Sequence, residues 1–538
     1  MAKRAWRWAC DHFAAAWHSP AVVALAVITL IGALLRFWFL LHWRPALVGF
    51  PDTAAYVVDA ASGLFADPLR ISGYVLFLRL VHGISPHLSV LILVQHAMGL
   101  VTGILFFDAM RRAGVRIGLG LVPAAVIMLG GTELFLEHAP LTEPVFIFCV
   151  ALGLWFTVRA WMGNAWWAAG AGLSFGYAAI DHSVGLTLVP VAVACLLLAP
   201  ASVLRSAEPA SERRSRLGRL LARHVVAVGR VARAALATIG ALAVILPFAY
   251  AHQQATGSFG FTSNGYLALY SRVAPWVDCS KFTPPAGTAF LCPTTPVAQR
   301  PGNDYWEFAG ISPAVDRWGS PEWFGPKPPP SEDAELKAFS VAAIEAQPLT
   351  YLEWVGRDLI RIIEPDFTTS PYPSGAGNPG YGLDPQGVIA QLLDESNIGN
   401  IDAIIDSYYD THGNLNESIQ PLITLEQDTR LDGPLMVIVL LLALLAPFLA
   451  SGGARRVAIT LGLFTLVLLL VPILTVSYDY RYTVPAFGEL TATAAIGGYE
   501  LWRRLSPPAL RAWRGRGRLG GSALRARGLI KRRFSRST

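Results

Sequence analysis

Charge is scarce in this 538-residue chain: 15% of residues are Asp, Glu, Lys or Arg, against 53% hydrophobic, and the mean hydropathy is +0.45. That balance excludes an ordinary soluble globular protein, in which about a quarter of residues are charged. Cysteine is as sparse, five residues in all, too few for a disulfide scaffold. No Gly-x-x-x-x-Gly-Lys loop and no paired dinucleotide-binding glycines follow a strand pattern, so neither ATP-driven work nor a soluble nucleotide-sugar site is indicated. No His-x-x-x-His or comparable spacing offers a metal site. Neither a metal, nor another cofactor, nor a nucleic-acid partner is expected.

What the chain has is apolar runs. They fall at about 21–43, 87–108, 117–132, 143–161, 166–181, 184–200, 225–250, 434–450, 457–476 and 483–502, which predicts an all-α polytopic membrane protein with about ten transmembrane helices. The basic start Met1–Arg7 precedes an apolar run too long for a signal peptide and ending in Phe37-Trp38-Phe39, so it reads as a retained anchor. Arginines cluster in alternate short connections, at Arg111, Arg112 and Arg116, between Arg205 and Arg223, at Arg455 and Arg456, and along the tail from Arg503. The positive-inside rule then places both termini in the cytoplasm. It puts the first loop (44–86), the link 130–143, Asp181-His182, 477–482 and a long insert outside.

This divides the chain into an N-terminal membrane module (1–250), an extracytoplasmic insert of mixed secondary structure (251–433), a C-terminal membrane block (434–502) and a basic cytoplasmic tail (503–538). The tail is an orientation signal that also suits anionic lipid. The insert is rich in Pro and Gly between Pro275 and Pro330 and carries Cys279 and Cys292, which either close a loop as a disulfide or remain free thiols. Ser331-Glu332-Asp333 opens a helix. Pro348 opens a second, amphipathic one, which either lies flat on the membrane or packs on the insert, the weakly basic polar face favouring packing. The stretch 385–409 is left unassigned.

The residues with chemistry to offer gather on the outer side: Asp52, Tyr56, Arg70, His138, Glu143, Asp181, His182 and the run Tyr478-Asp479-Tyr480-Arg481-Tyr482. Such a set would line a cleft roofed by the insert. Arg70 and Arg481 offer the forked donors that match a phosphate, or they snorkel to headgroups, with Tyr480 and Tyr482 in an aromatic belt. Thr142-Glu143-Pro144 equally describes the start of a helix, and His138, Asp181 and His182 equally describe polar span ends. Asp52 is either a helix cap or a reacting group at the water boundary. Arg36, inside the first run, marks its bundle-facing side.

The order of these features resembles a known class. A first span with an internal arginine is followed by Gly-Phe-Pro-Asp52-x-x-x-Tyr56, Arg70-x-x-Gly73-Tyr74-x-x-Phe77-Leu78, Leu141-Thr142-Glu143-Pro144 and Asp479-x-Arg481-Tyr482-x-x-Pro485. This is similar to the GT-C class of polytopic glycosyltransferases, and within it to bacterial protein-mannosyltransferase and aminoarabinose-transferase members. The resemblance implies a polyprenyl-phosphate sugar as donor and a glycan, lipid or protein acceptor in the cell envelope. It implies Asp52 as catalytic base, with Tyr56, Arg70, Tyr74 and Arg481 near the substrate. Thr53 stands where many members have a second acidic residue, and Asp181-His182 falls where some have a lysine.

With a phosphate leaving group no general acid is required, and a single inverting displacement needs only a base. Partial desolvation would raise the Asp52 pKa and strengthen it in that role. The Ala, Arg and Leu bias suggests a high-GC bacterium and a decaprenyl carrier for arabinose or mannose. Against this stand a transporter or flippase for lipid-linked sugars, for which inverted repeats are lacking, and a non-catalytic envelope scaffold.

Overall fold

The computed structural model describes residues 19–43, 45–47, 51–198, 216–301, 306–307, 312–319, 330–365, 403, 406–409 and 420–506. The N-terminal basic segment, the linker 199–215, most of 385–409 and the tail beyond 506 lie outside them. The helices are α1 (Pro20–His42), α2 (Pro51–Ser62), α3 (Gly73–His82), α4 (Leu88–Arg112), α5 (Leu121–Leu129), α6 (Gly131–Glu137), α7 (Glu143–Met162), α8 (Trp167–Asp181), α9 (Gly185–Leu197) and α10 (Arg216–Thr256). The insert supplies α11 (Tyr266–Val273), α12 (Pro313–Trp318), α13 (Pro330–Ala346) and α14 (Pro348–Arg361), and the C-terminal block α15 (Gln420–Thr429), α16 (Gly433–Leu449), α17 (Gly452–Thr475), α18 (Tyr480–Thr483) and α19 (Phe487–Leu505). The protein is 79% helical and has no strand among the described residues. The described part of the insert is therefore helical where mixed structure was expected: its Pro- and Gly-rich run includes single 3-10 turns such as Cys279–Lys281 and Ala289–Leu291.

Among the described residues, six helical stretches are long and apolar enough to cross a bilayer: α1, α4, α7, His224–Thr256 of α10, Thr424–Leu449 and α17. A seventh is possible if Ile117–Leu129 and α6, bent by 51° at Gly130, form one span. The count of about ten is not confirmed among these residues. At 1.5 Å per residue, α8 with 15 residues and α9 with 13 fall well short of a hydrocarbon core of about 30 Å. α19 is long enough but carries Glu489, Thr491, Thr493 and Glu500.

Close backbone approach holds α8 in place. A Cβ on Gly172 would fall on the Ala237 carbonyl oxygen, and one on Gly240 would come 2.5 Å from the Ala169 oxygen, so α8 and α10 meet through small residues as membrane helices commonly do. Arg36, 2% exposed, binds Glu137 at the end of α6 through Nε (2.8 Å) and Nη2 (2.7 Å), and donates from Nη1 to the Met128 carbonyl at 2.7 Å. That pair fastens the bent α5–α6 segment to α1. A separate core of Tyr270, Trp276, Trp306 and Phe339 fills the insert, where Cys279 and Cys292 form a disulfide with a Cα separation of 6.1 Å.

Gly172→Val should overpack the α8–α10 contact by about 1–3 kcal/mol and lower the thermal midpoint in detergent. Gly118→Ala, where nothing lies within 4 Å, should leave the midpoint unchanged.

Candidate functional site

Contacts on either side of the link from α1 to Asp52 fix its position. The Leu47 amide donates to the His138 carbonyl (2.9 Å), and Thr53 Oγ1 to the Pro140 carbonyl (3.2 Å). Pro51 then opens α2 with Asp52 in its first turn. Both aspartate oxygens are taken by guanidinium groups: Arg70 reaches Oδ1 from Nε (2.9 Å) and Nη2 (2.7 Å), and Arg481 reaches Oδ2 from Nη1 (2.9 Å). The two arginines lie 411 residues apart in sequence, by 481 minus 70. The Asp52 side chain keeps 23% of its surface exposed, so this clamp opens to solvent.

Each arginine has a second acid that sets its orientation. Asp67 accepts the amides of Leu69 and Arg70 on Oδ1 (2.7 and 3.0 Å) and Arg70 Nη1 on Oδ2 (2.9 Å). Asp479 caps α18 by accepting the Arg481 amide (2.9 Å), and Glu143 Oε1 stands 3.5 Å from Arg481 Nη1. Burial pushes the Asp52 carboxyl up, but Arg70 and Arg481 outweigh it and hold the group well below the ordinary range. This corrects the expectation of a base strengthened by desolvation: the desolvation is present, and paired charge overrides it.

The other expected residues distribute unevenly. Tyr56 and Tyr74 stack edge to face at 4.9 Å on the wall beside Asp52, both buried, and the Tyr74 hydroxyl donates to Gln95 (2.6 Å). Asp181 Oδ2 accepts from Thr142 Oγ1 (2.8 Å), and its Oδ1, like Glu143 Oε2, is buried without a hydrogen bond. His182 sits between Phe146 (5.2 Å) and Tyr482 (5.9 Å), where burial and then Arg481 lower its pKa to about 4 and keep the ring neutral. Tyr480 is buried beside Arg481 in α18.

His138 is not brought to the clamp. Its Nε2 meets the Trp43 carbonyl (2.7 Å) and its Nδ1 meets His96 (3.0 Å), which in turn meets Glu137 (2.9 Å). Among the described residues no group of three or more His, Cys, Asp or Glu is arranged to hold a metal ion.

Asp59 and Asp67 escaped the sequence reading. The signal was present: Asp59 follows Asp52 by seven residues, two turns along the same helix face, and Asp67 precedes Arg70 by three. Asp59 is fully buried, and neither carboxyl oxygen makes a hydrogen bond. Burial, reinforced by Asp67 and opposed by Arg70, raises its pKa to about 8. The folded form thus keeps a proton that the unfolded chain releases near 3.8. Between those values folding binds a proton, so stability falls as pH rises, by up to about 1.4 kcal/mol per unit. Asp59→Asn should flatten the decline in thermal midpoint between about pH 4 and pH 8; an unchanged slope would show that Asp59 ionises normally.

Comparison with protein-family models finds no match, and comparison with curated proteins finds none either.

Proposed function

We propose that the chain is a membrane-embedded glycosyltransferase of GT-C type. It moves a sugar from a polyprenyl-phosphate carrier to a cell-envelope acceptor at the outer face of a bacterial cytoplasmic membrane, without a metal. The observation that carries this reading is the clamp: one partly exposed carboxylate held between two arginines from opposite ends of the chain. Guanidinium forks match phosphate oxygens, and a carboxylate beside them has the chemistry to take a proton from an acceptor hydroxyl. The disulfide of the insert agrees with an oxidising compartment.

The low Asp52 pKa gives the reading a definite order of events. While Arg70 and Arg481 hold the carboxylate it is a weak base. A donor phosphate entering the clamp competes for both guanidinium groups, and as they turn to it Asp52 loses the charges that keep it acidic. Burial, which already pushes in the opposite direction, then raises its basicity when the leaving group is in place. The sugar carbon–phosphate oxygen bond breaks as the acceptor oxygen attacks, its proton goes to Asp52, and the arginines neutralise the departing phosphate.

One observation favours a second reading, a transporter or flippase for lipid-linked sugars: α5 and α6 meet at a 51° bend with Arg36, Glu137 and His96 buried behind it, and broken spans with buried polar groups are common in transporters. Purified protein in nanodiscs separates the two, because a transporter moves no label between molecules there. With radiolabelled polyprenyl-phosphate sugar and an envelope acceptor fraction, the wild type should transfer label. Asp52→Asn, matched to the wild type in thermal midpoint, should lose about 10²–10⁴ in rate, and Arg70→Gln or Arg481→Gln should weaken donor use. Full activity in Asp52→Asn removes the proposed base.

A further inference from the structure

Helix α14 has three sides, and two of them are occupied. Toward the insert, Trp354 packs on the aromatic core and Asp358 binds Arg272 of α11 at 2.6 Å with both side chains fully buried. Toward the bundle, Val355 and Ile362 join the main hydrophobic core and Leu359 packs against it, while the Tyr351 hydroxyl donates to the Leu474 carbonyl (2.8 Å) at the end of span α17. The third side carries Leu349, Leu352 and Ile360, which are 80%, 56% and 57% exposed. At 100° per residue these three fall within an arc of about 80°, on the side opposite Trp354 and Asp358.

The usual burial order is thus inverted on this helix. Asp358 and Arg361 face inward and aliphatic side chains face out, with Glu353 and Arg357 paired along one edge (2.6 Å). Arg357 also lies over the Trp354 ring, 5.0 Å from its centroid. Exposed leucine and isoleucine side chains are unfavourable in water, at about 25 cal/mol per Å² of apolar surface. A stripe of them beside a bilayer-spanning helix has an evident partner.

We propose that α14 is an interfacial helix, whose Leu349, Leu352 and Ile360 enter the lipid bilayer at the headgroup–acyl boundary and hold the insert against it. Three features commit the surface to lipid rather than to a second chain. The stripe points away from the insert core. The Tyr351–Leu474 bond fixes the helix at the level where the apolar run of α17 ends. Span α17 itself keeps Ile459, Leu463 and Leu466 exposed along its length, the kind of apolar exterior that a bilayer covers. The low basicity of the polar edge means that the anchorage is apolar and does not require anionic lipid. The inference depends on α17 spanning a membrane and is independent of any sugar transfer.

Spin labels decide it. The full chain, with Cys10, Cys149 and Cys195 replaced by alanine and the disulfide kept, carries single cysteines at 349, 352 or 360 and is reconstituted into vesicles of zwitterionic phosphatidylcholine. Each label should collide more with oxygen than with a water-soluble nickel chelate and report a depth of about 5–10 Å below the headgroup boundary. A label at Lys281, 59% exposed in the insert, should show the reverse. Nickel-dominated collisions at all three positions place the stripe in water and overturn the proposal. Low collision with both reagents means protein covers the stripe, which overturns it equally. Because the readout is depth, its failure leaves the transferase reading untouched, and loss of transfer in Asp52→Asn leaves this one untouched.

Discussion

A guanidinium group inside an apolar bundle must find an acid and enough carbonyls, or the helix carrying it cannot stay there. Arg36 meets that requirement with Glu137 and with the carbonyls of Gly32 and Met128, and much of the N-terminal module follows. Glu137 can reach Arg36 only because the chain bends at Gly130 and α6 returns into the bundle. α6 stops at Glu137, leaving carbonyls at its end and just beyond without helical partners, and Gln95 of α4 takes two of them, those of Glu137 and Ala139. His96 and His138 carry the network on to the Trp43 carbonyl, and the His138 carbonyl fixes Leu47. The position of Asp52, five residues later, is inherited from that chain of contacts.

At the clamp the balance of charge runs the other way. Four carboxylates, Asp52, Asp67, Glu143 and Asp479, surround two guanidinium groups. A phosphate cannot simply be added to such a set; it has to replace one of its members. Asp67, Glu143 and Asp479 have side chains 0%, 3% and 4% exposed, against 23% for Asp52, and Asp67 and Asp479 are also held by backbone amides. Asp52 is therefore the carboxylate that can exchange. This is why the proposed donor and the proposed base belong to one event.

The sequence was most legible where a rule acts over a few turns. Apolar runs located the helices, and the cost of a charge in a span singled out Arg36. Span number was less legible, because α8 and α9 are apolar enough to read as spans while their lengths of 15 and 13 residues fall short of a usual span. Partners distant in the chain were invisible: His138 reads as an interfacial residue until His96 is placed beside it, and the downward shift of Asp52 depends on nearby Arg70 together with an arginine 429 residues away. The apolar spacing along α14 was also visible, but not which side is buried, since the Asp358 partner, Arg272, is 86 residues upstream.

The insert and the clamp are joined more directly than their separation in sequence suggests. Arg361, at the end of α14, lies over the Tyr478 ring at 5.5 Å, and Tyr351 holds the Leu474 carbonyl. The first contact falls on the short connection between α17 and α18 and the second on the last turn of α17, and this stretch continues at once into Asp479 and Arg481. A displacement of α14 therefore acts on the backbone that aims Arg481 at Asp52. Arg272 and Asp358 make α14 rigid with the insert core, so the insert cannot shift without carrying that helix along. On this geometry the insert core, α14 and the clamp form one continuous set of contacts.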